Sequence, residues 1–348
     1  MKTPLFGKTL SQLKQITDEL NLPRYSAEQI ARWIYRGHAR SFSVMTNLSA
    51  AARSVLDEAF LISPQLPDKV TVSSDGTKKY LFAAGSSESH RYVEAAYIPE
   101  TERATLCLST QVGCKMGCLF CMTGKQGFQG QLSAGEIVNQ YDSLPERDQV
   151  TNIVYMGMGE PLDNLEPVLD SLEILTADWG YGMSPSRITV STVGLIPAMK
   201  SYLERSSGHL AVSMHSPFEE ERRQLMPIQH VYPLSEVLET LRSYDMPRQR
   251  RVSFEYIVFG GLNHSANHAK EMARILQGLR CRVNLIRFHP IPGSPLLPAS
   301  DEQMTDFQNM LKAKGILTTI RRSRGQDILA ACGLLSTREL VRLNPTDY

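Results

Sequence analysis

From about Ala104 onward, short apolar runs alternate with segments whose apolar residues recur at helical spacing. The runs predict strands over 104–110, 150–156, 187–192, 209–214, 252–258 and 282–288. Helical patterns fall between them, near 133–142, 165–177, 196–204, 234–244 and 265–278, with another at 301–314. Parallel neighbours need a long crossover and a helix fills it, so repeated strand–helix units predict an α/β fold around a parallel sheet. Six such units are too many for a tight sandwich.

The preceding residues divide differently. Over 1–60, Leu10, Leu13, Ile16 and Leu20, then Ala27, Ile30, Ala31 and Ile34, keep helical spacing, with Pro23 between and Ser26 placed to cap the second helix. A third helix runs from about Ser49 to Phe60. Basic residues outnumber acidic ones 8 to 5 here, which suits RNA docking, while Trp33 reads as core ahead of a stacking platform. Val70 and Val72, the Asp75-Gly76 turn, then Tyr80 and Phe82 read as a hairpin, followed by a strand from His90 to Ile98. The expected units are a helical accessory domain over 1–62, a hairpin extension over 63–103, and an α/β domain over 104–348.

At 348 residues with 42% hydrophobic and 21% charged side chains, the composition is that of an ordinary globular protein. No run reaches the roughly 18 apolar residues of a membrane span, and the polar N-terminus does not read as a signal peptide. The cytoplasm is the default expectation, with no membrane partner and a monomer as default. Net charge is +1. Two basic clusters stand out, one over 311–326 and one at Arg248, Arg250 and Arg251, as either phosphate contacts or solvated surface.

Chemistry concentrates after the first predicted strand. Cys114, Cys118 and Cys121 stand at C-x3-C-x2-C, with Gly113, Gly117 and Gly124 allowing a tight loop. Three thiolates on a four-iron cluster leave one iron open to a substrate. Zinc and three unrelated thiols are the alternatives; zinc lacks a second pair, and disulfides suit neither the number nor the compartment. Other polar groups gather at predicted strand ends. Met156-Gly157-Met158-Gly159-Glu160-Pro161 reads as a site for a zwitterion or as a plain turn. His215 reads as a satisfied polar residue ahead of a ligand, and Cys281 and Cys332 as small buried hydrophobes.

These words together resemble the radical S-adenosylmethionine (SAM) superfamily, and "RATLCLSTQVGC…GCLFCMTGKQGF", "MGMGEPLDN", "STVG", "SMHS", "NLIRFHP" and "RRSRGQDILAACG" resemble its RlmN/Cfr family of RNA adenosine methyltransferases. The resemblance spans nearly the whole chain. It implies an incomplete (β/α)6 radical-SAM barrel, open on one side, with its chemistry at the C-terminal ends of the strands. It implies one [4Fe-4S] cluster on Cys114, Cys118 and Cys121, with SAM on the fourth iron. Gly159, Glu160, Ser191, Ser213, Met214 and His215 match SAM-binding segments. His289 stands where the family usually has asparagine, and Gln326, Leu329 and Leu334 also depart from its pattern.

Three further residues match the family's reacting groups: Glu94 as general base, Cys332 as methyl carrier and Cys107 as the cysteine that resolves the adduct through a transient disulfide. The implied partners are 23S rRNA, tRNA and a flavodoxin- or ferredoxin-like one-electron donor. "G-K-Q-G-F" and the full helical N-terminus look like the enzymes acting at C2, against the Cfr type acting at C8. A radical SAM enzyme with another substrate would need neither Cys107 nor Cys332, and an iron–sulfur sensor would need no SAM.

Overall fold

A computed structural model describes residues 2–85, 91–246 and 250–337. The expected strand start at His90 and the basic residue Arg248 lie outside these. Ten strands form one sheet. In chain order they are β1 (Lys69–Val72), β2 (Lys78–Ala84), β3 (Arg91–Pro99), β4 (Ala104–Cys107), β5 (Asn152–Tyr155), β6 (Ile188–Thr192), β7 (His209–Ser213), β8 (Val252–Val258), β9 (Cys281–Arg287) and β10 (Thr318–Ile320). They lie side by side in sequence order, β1 to β4 antiparallel and β4 to β10 parallel. The sheet does not close: its two edges are β1 and β10. This is an incomplete barrel of the kind the resemblance implies, with a seventh parallel strand beyond the expected six. The hairpin joins the same sheet through β3 and β4.

The parallel wall forms because period-two patterning separates two environments. In β8, Val252, Phe254, Tyr256 and Val258 enter the core under the helices, while Ser253, Glu255 and Ile257 face the barrel interior. The outer layer contains α5 (Ala134–Asp142), α6 (Leu165–Thr176), α7 (Ile196–Arg205), α9 (Leu234–Ser243), α10 (Ala266–Leu276) and α11 (Asp301–Ala313). Ser133, Ser265 and Ser300 each close a reciprocal capping box, fixing where α5, α10 and α11 begin. Two short helices are additional: α4 (Met122–Gln126) and α8 (Glu219–Leu225).

The N-terminal helices are α1 (Leu10–Glu19), α2 (Ser26–Tyr35) and α3 (Ala50–Ala59). Ser26 is the first residue of α2 rather than its cap; Tyr25 takes the capping position without a side-chain bond. Leu13, Ile30, Ile34 and Leu56 share a core with Val138 of α5 and Ile174 of α6, so these helices dock on the barrel's outer layer. Tyr35 is fully buried there and donates to Lys8 O at 2.6 Å. The carboxylate of Asp142, at the end of α5, accepts from Arg40 at 2.6 Å and Tyr181 at 2.7 Å and meets His38 at 3.1 Å. Trp33 is half-buried against this core and donates to Asn47 Oδ1 at 2.6 Å. Among the described residues no helix is long and apolar enough to cross a membrane.

Candidate active site

A cavity of about 700 Å³ runs along the interior face of the parallel strands. Five of the chain's six cysteines line it: Cys107, Cys114, Cys118, Cys121 and Cys332. Cys281 does not, and burial pushes its thiol up to about 11.

The three loop cysteines follow β4. Gly113 takes φ +74° and a Cβ there would lie 1.6 Å from Gly127 O, so the loop packs on itself only with glycine. The thiols of Cys114, Cys118 and Cys121 feel one another electrostatically. Among the described residues no three His, Cys, Asp or Glu side chains close round one point as a single ion requires. Three neighbouring thiols with no fourth side-chain ligand beside them among the described residues suit an iron–sulfur cluster with one open iron better than a four-ligand structural zinc. Burial pushes Cys114 up to about 12 and Cys118 well above its ordinary value. A cationic body is what would hold such thiols ionised. Beneath them lies Arg222, fully buried, donating to Val193 O at 2.8 Å and Ser213 O at 3.2 Å and so tying the ends of β6 and β7 together.

Gly159, Glu160, Ser191, Ser213, His215 and His289 also line the cavity. Gly159 takes φ +99° and a Cβ would lie 2.6 Å from Gln111 Cβ. The buried Glu160 carboxylate accepts from Val193 N at 2.9 Å and Leu162 N at 3.1 Å. Burial raises it to about 7 despite these donors, so the carboxyl gives up its proton readily only when a cation arrives beside it. His215, at φ +57°, accepts from Ile257 N through Nδ1 at 3.0 Å, which leaves its proton on Nε2. Burial lowers it to about 3, so the ring is neutral. His289 Nε2 meets Ser323 Oγ at 2.9 Å, which keeps the ring at the cavity wall in place of the family's asparagine.

Two expected residues sit elsewhere. The Met214 side chain is fully buried in the core, away from the cavity lining. Glu94 is buried on β3, 2.9 Å from Lys79 Nζ and 2.9 Å from Ser336 N. The 335–337 segment therefore lies against it.

Cys332 is exposed at the cavity. Its segment is fixed on both sides. Upstream, Asp327 accepts from Ser73 Oγ at 2.6 Å and Ser74 N at 3.0 Å. Downstream, Gly333 O accepts from Met122 N at 2.8 Å, and Gln126 of α4 accepts from Thr337 N at 3.0 Å. Cys107 and Cys332 influence each other electrostatically, so residues 225 apart in sequence are neighbours in space (332 − 107).

The profile of the Radical SAM superfamily matches residues 108–273, and that of the ribosomal RNA large subunit methyltransferase N-terminal domain matches 3–62. A Parabacteroides distasonis protein named "Probable dual-specificity RNA methyltransferase RlmN" is 53% identical over 340 residues, covering 98% of both chains. "Dual-specificity RNA methyltransferase RlmN" of Syntrophus aciditrophicus is 41% identical over 336 residues, covering 95% of this chain and 96% of its own. The chain belongs to the RlmN family.

The crystal structure of a radical SAM methyltransferase from Sphaerobacter thermophilus superimposes with a TM-score of 0.86 at 39% identity, over 96% of this chain and 99% of that one. As an RlmN-family member the chain is a radical SAM RNA methyltransferase, of a family that works with a [4Fe-4S] cluster and SAM. Sequence reasoning passed over two interior residues of this RlmN-type barrel. Glu255 is the one charged residue in the strand Val252–Val258, which was the available signal. Arg321 was noted only as one of a basic run.

Proposed function

We propose that the chain methylates C2 of one adenosine in 23S rRNA, and of the anticodon-adjacent adenosine in tRNAs, in the cytoplasm. Cys332 serves as methyl carrier in a ping-pong use of two SAM molecules. The observation that carries this reading is the exposed Cys332 facing the cavity of the three-cysteine loop, with Cys107 beside it. A radical SAM enzyme of another kind has no use for that pair.

Cys114, Cys118 and Cys121 would hold the cluster. Gly159, Glu160, Ser191, Ser213, His215 and His289 would hold SAM, Glu160 meeting its cationic end. When bound, cluster and SAM supply a carbon radical, with the electron drawn from an external one-electron donor. C2 of adenine is electrophilic and will not attack a sulfonium methyl, which is why a carrier is needed.

Cys332 sulfur first accepts a methyl, the bonding pair leaving with the donor's thioether. After hydrogen abstraction, the methylene on Cys332 adds to C2. The adduct then gives the C2 proton to Glu94, and its extra electron would return to the oxidised cluster that Cys114, Cys118 and Cys121 would hold. Cys107 thiolate attacks Cys332 sulfur, the carbon departs with the bonding pair and takes a proton, and the two sulfurs are left as a disulfide. Two electrons from outside restore the thiols. Glu94 reaches the base only when the 335–337 segment shifts.

Mass analysis of rRNA and tRNA from a deletion strain tests the activity, with loss of 2-methyladenosine as the expected result. Retained 2-methyladenosine in both RNAs overturns the reading. Anaerobically purified protein should carry a methyl on Cys332, and Cys107→Ala should accumulate a protein–RNA adduct; clean turnover by that variant removes Cys107 from the mechanism.

A further inference from the structure

Glu255, Asn284 and Thr319 lie abreast on β8, β9 and β10, directly paired in register and facing the interior. Their side chains form one chain of bonds. Thr319 Oγ1 donates to Asn284 Oδ1 at 2.7 Å, and Asn284 Nδ2 donates to Glu255 Oε1 at 2.8 Å. Ser253 Oγ donates to the same oxygen at 3.0 Å. This fixes Glu255 Oε2, which has no hydrogen bond of its own, toward Arg321 Nε at 3.6 Å.

Arg321 follows β10 immediately, its own N–H bonded to Leu285 O at 2.8 Å. Its Nη1 lies 3.3 Å from Met156 Sδ, and the guanidinium lines the same cavity as Cys332 and Cys107, with both sulfurs in its electrostatic field. A buried carboxylate is costly without a cation; Arg321 is the one in ion-pair reach of Glu255 among the described residues, with Arg282 acting on it from farther off. Arg321 is thus held at Nε by Glu255, in a cavity where both cysteine sulfurs feel its charge.

We propose that Arg321, held by Glu255, is the residue that stabilises thiolate at the Cys107–Cys332 pair and so biases the pair toward its reduced, working form. Cys107 has particular need of it. Burial pushes that thiol up to about 12, Cys332 adds to the rise, and the Met156 backbone and Arg321 oppose it. The charged groups facing the pair are Arg321 and, behind it, Glu255. This inference rests on the proposed function in requiring that the two cysteines exchange with one another.

The exchange is a two-electron equilibrium. The protein disulfide takes two electrons and two protons from two glutathione thiols, which leave as glutathione disulfide. Stabilised thiolates make a disulfide more easily reduced. Cluster-loaded protein is equilibrated anaerobically in glutathione buffers, and the Cys107–Cys332 linkage is quantified by differential alkylation and peptide mass spectrometry.

Arg321→Gln should shift the equilibrium about tenfold toward disulfide, equivalent to about 30 mV. Glu255→Gln keeps an acceptor for Asn284 and Ser253 but frees the guanidinium's full charge, and should shift it at least threefold toward dithiol. Arg321→Lys should stay within about threefold of wild type. Opposite signs for the Gln variants are what a merely structural role does not produce.

If Arg321→Gln does not fold, Glu255→Gln decides alone. Equilibria within twofold of wild type, or a shift of Glu255→Gln toward disulfide, overturn the proposal while leaving the methyltransferase reading intact. Wild type that forms no Cys107–Cys332 disulfide at any glutathione ratio overturns both.

Discussion

Met122 N–H donates to Gly333 O over 2.8 Å, joining the residue after the third loop cysteine to the residue after Cys332. Thr123 Oγ1 repeats the tie on Leu335 O at 2.7 Å. The segment that would grip the cluster and the segment that carries Cys332 are therefore one packed unit, with the short α4 as the bracket between them.

Gln126 is the strongest part of that bracket, accepting from Ser336 Oγ at 3.1 Å and Thr337 N at 3.0 Å and donating to Thr337 Oγ1 at 2.7 Å. Gln126→Ala leaves buried groups unpaired at about 1–3 kcal/mol each. Hydrogen exchange over 333–337 should accelerate and the methyl load on Cys332 should fall about tenfold, with cluster absorbance unchanged. Unchanged exchange there would remove Gln126 from any positioning role.

Glu160 gives a pH dependence with a defined sign. Burial raises its folded value from 4.5 to about 7. Between these values the folded chain keeps a proton that the unfolded chain has lost, so stability falls as pH rises through that window and levels off above it. The cluster-free wild type should lose about 3 kcal/mol relative to Glu160→Gln between pH 4.5 and 7.5. Denaturant melts of the two proteins at both pH values check this, and parallel pH profiles would contradict it.

Gly159→Ala places a methyl group against Gln111 in a backbone conformation suited to glycine. Calorimetric titration of the cluster-loaded variant should show SAM affinity reduced at least tenfold, while iron content stays at the wild-type level. Unaltered affinity would mean that this turn does not touch the cofactor.

Asp142 has a fully buried carboxylate that binds Arg40, His38 and Tyr181, and so joins the N-terminal helices to the barrel. Asp142→Ala should cost about 2–3 kcal/mol, allowing for the partly exposed partners. Limited proteolysis should then cut first between α3 and β1. A variant as resistant as wild type would show that the apolar contact alone holds the two together.

Much of this was legible because it is local. The strand and helix periods, the C-x3-C-x2-C loop and the polar words at strand ends are each written within a few residues. The β10 strand was hidden because Thr318–Ile320 is only three residues long, beside a basic run that reads as surface. Glu255 and Arg321 come together across a sheet, and no spacing along the chain encodes that meeting. Met214 matched a SAM-binding word, yet period two turns it into the core between the inward-facing Ser213 and His215. Ser26 had the composition of a cap, but the helix takes it as its first residue.

The moorings at Asp327 and Gly333 leave only residues 328–332 as slack, with Leu329 already in a left-handed bend. An arm of five residues has no room to ferry its cargo between distant stations. In the proposed cycle, methyl source, hydrogen-abstracting agent and nucleobase would therefore take turns in a single chamber around a nearly stationary sulfur. A molecule wedged there would arrest the loading and delivery halves of the cycle alike.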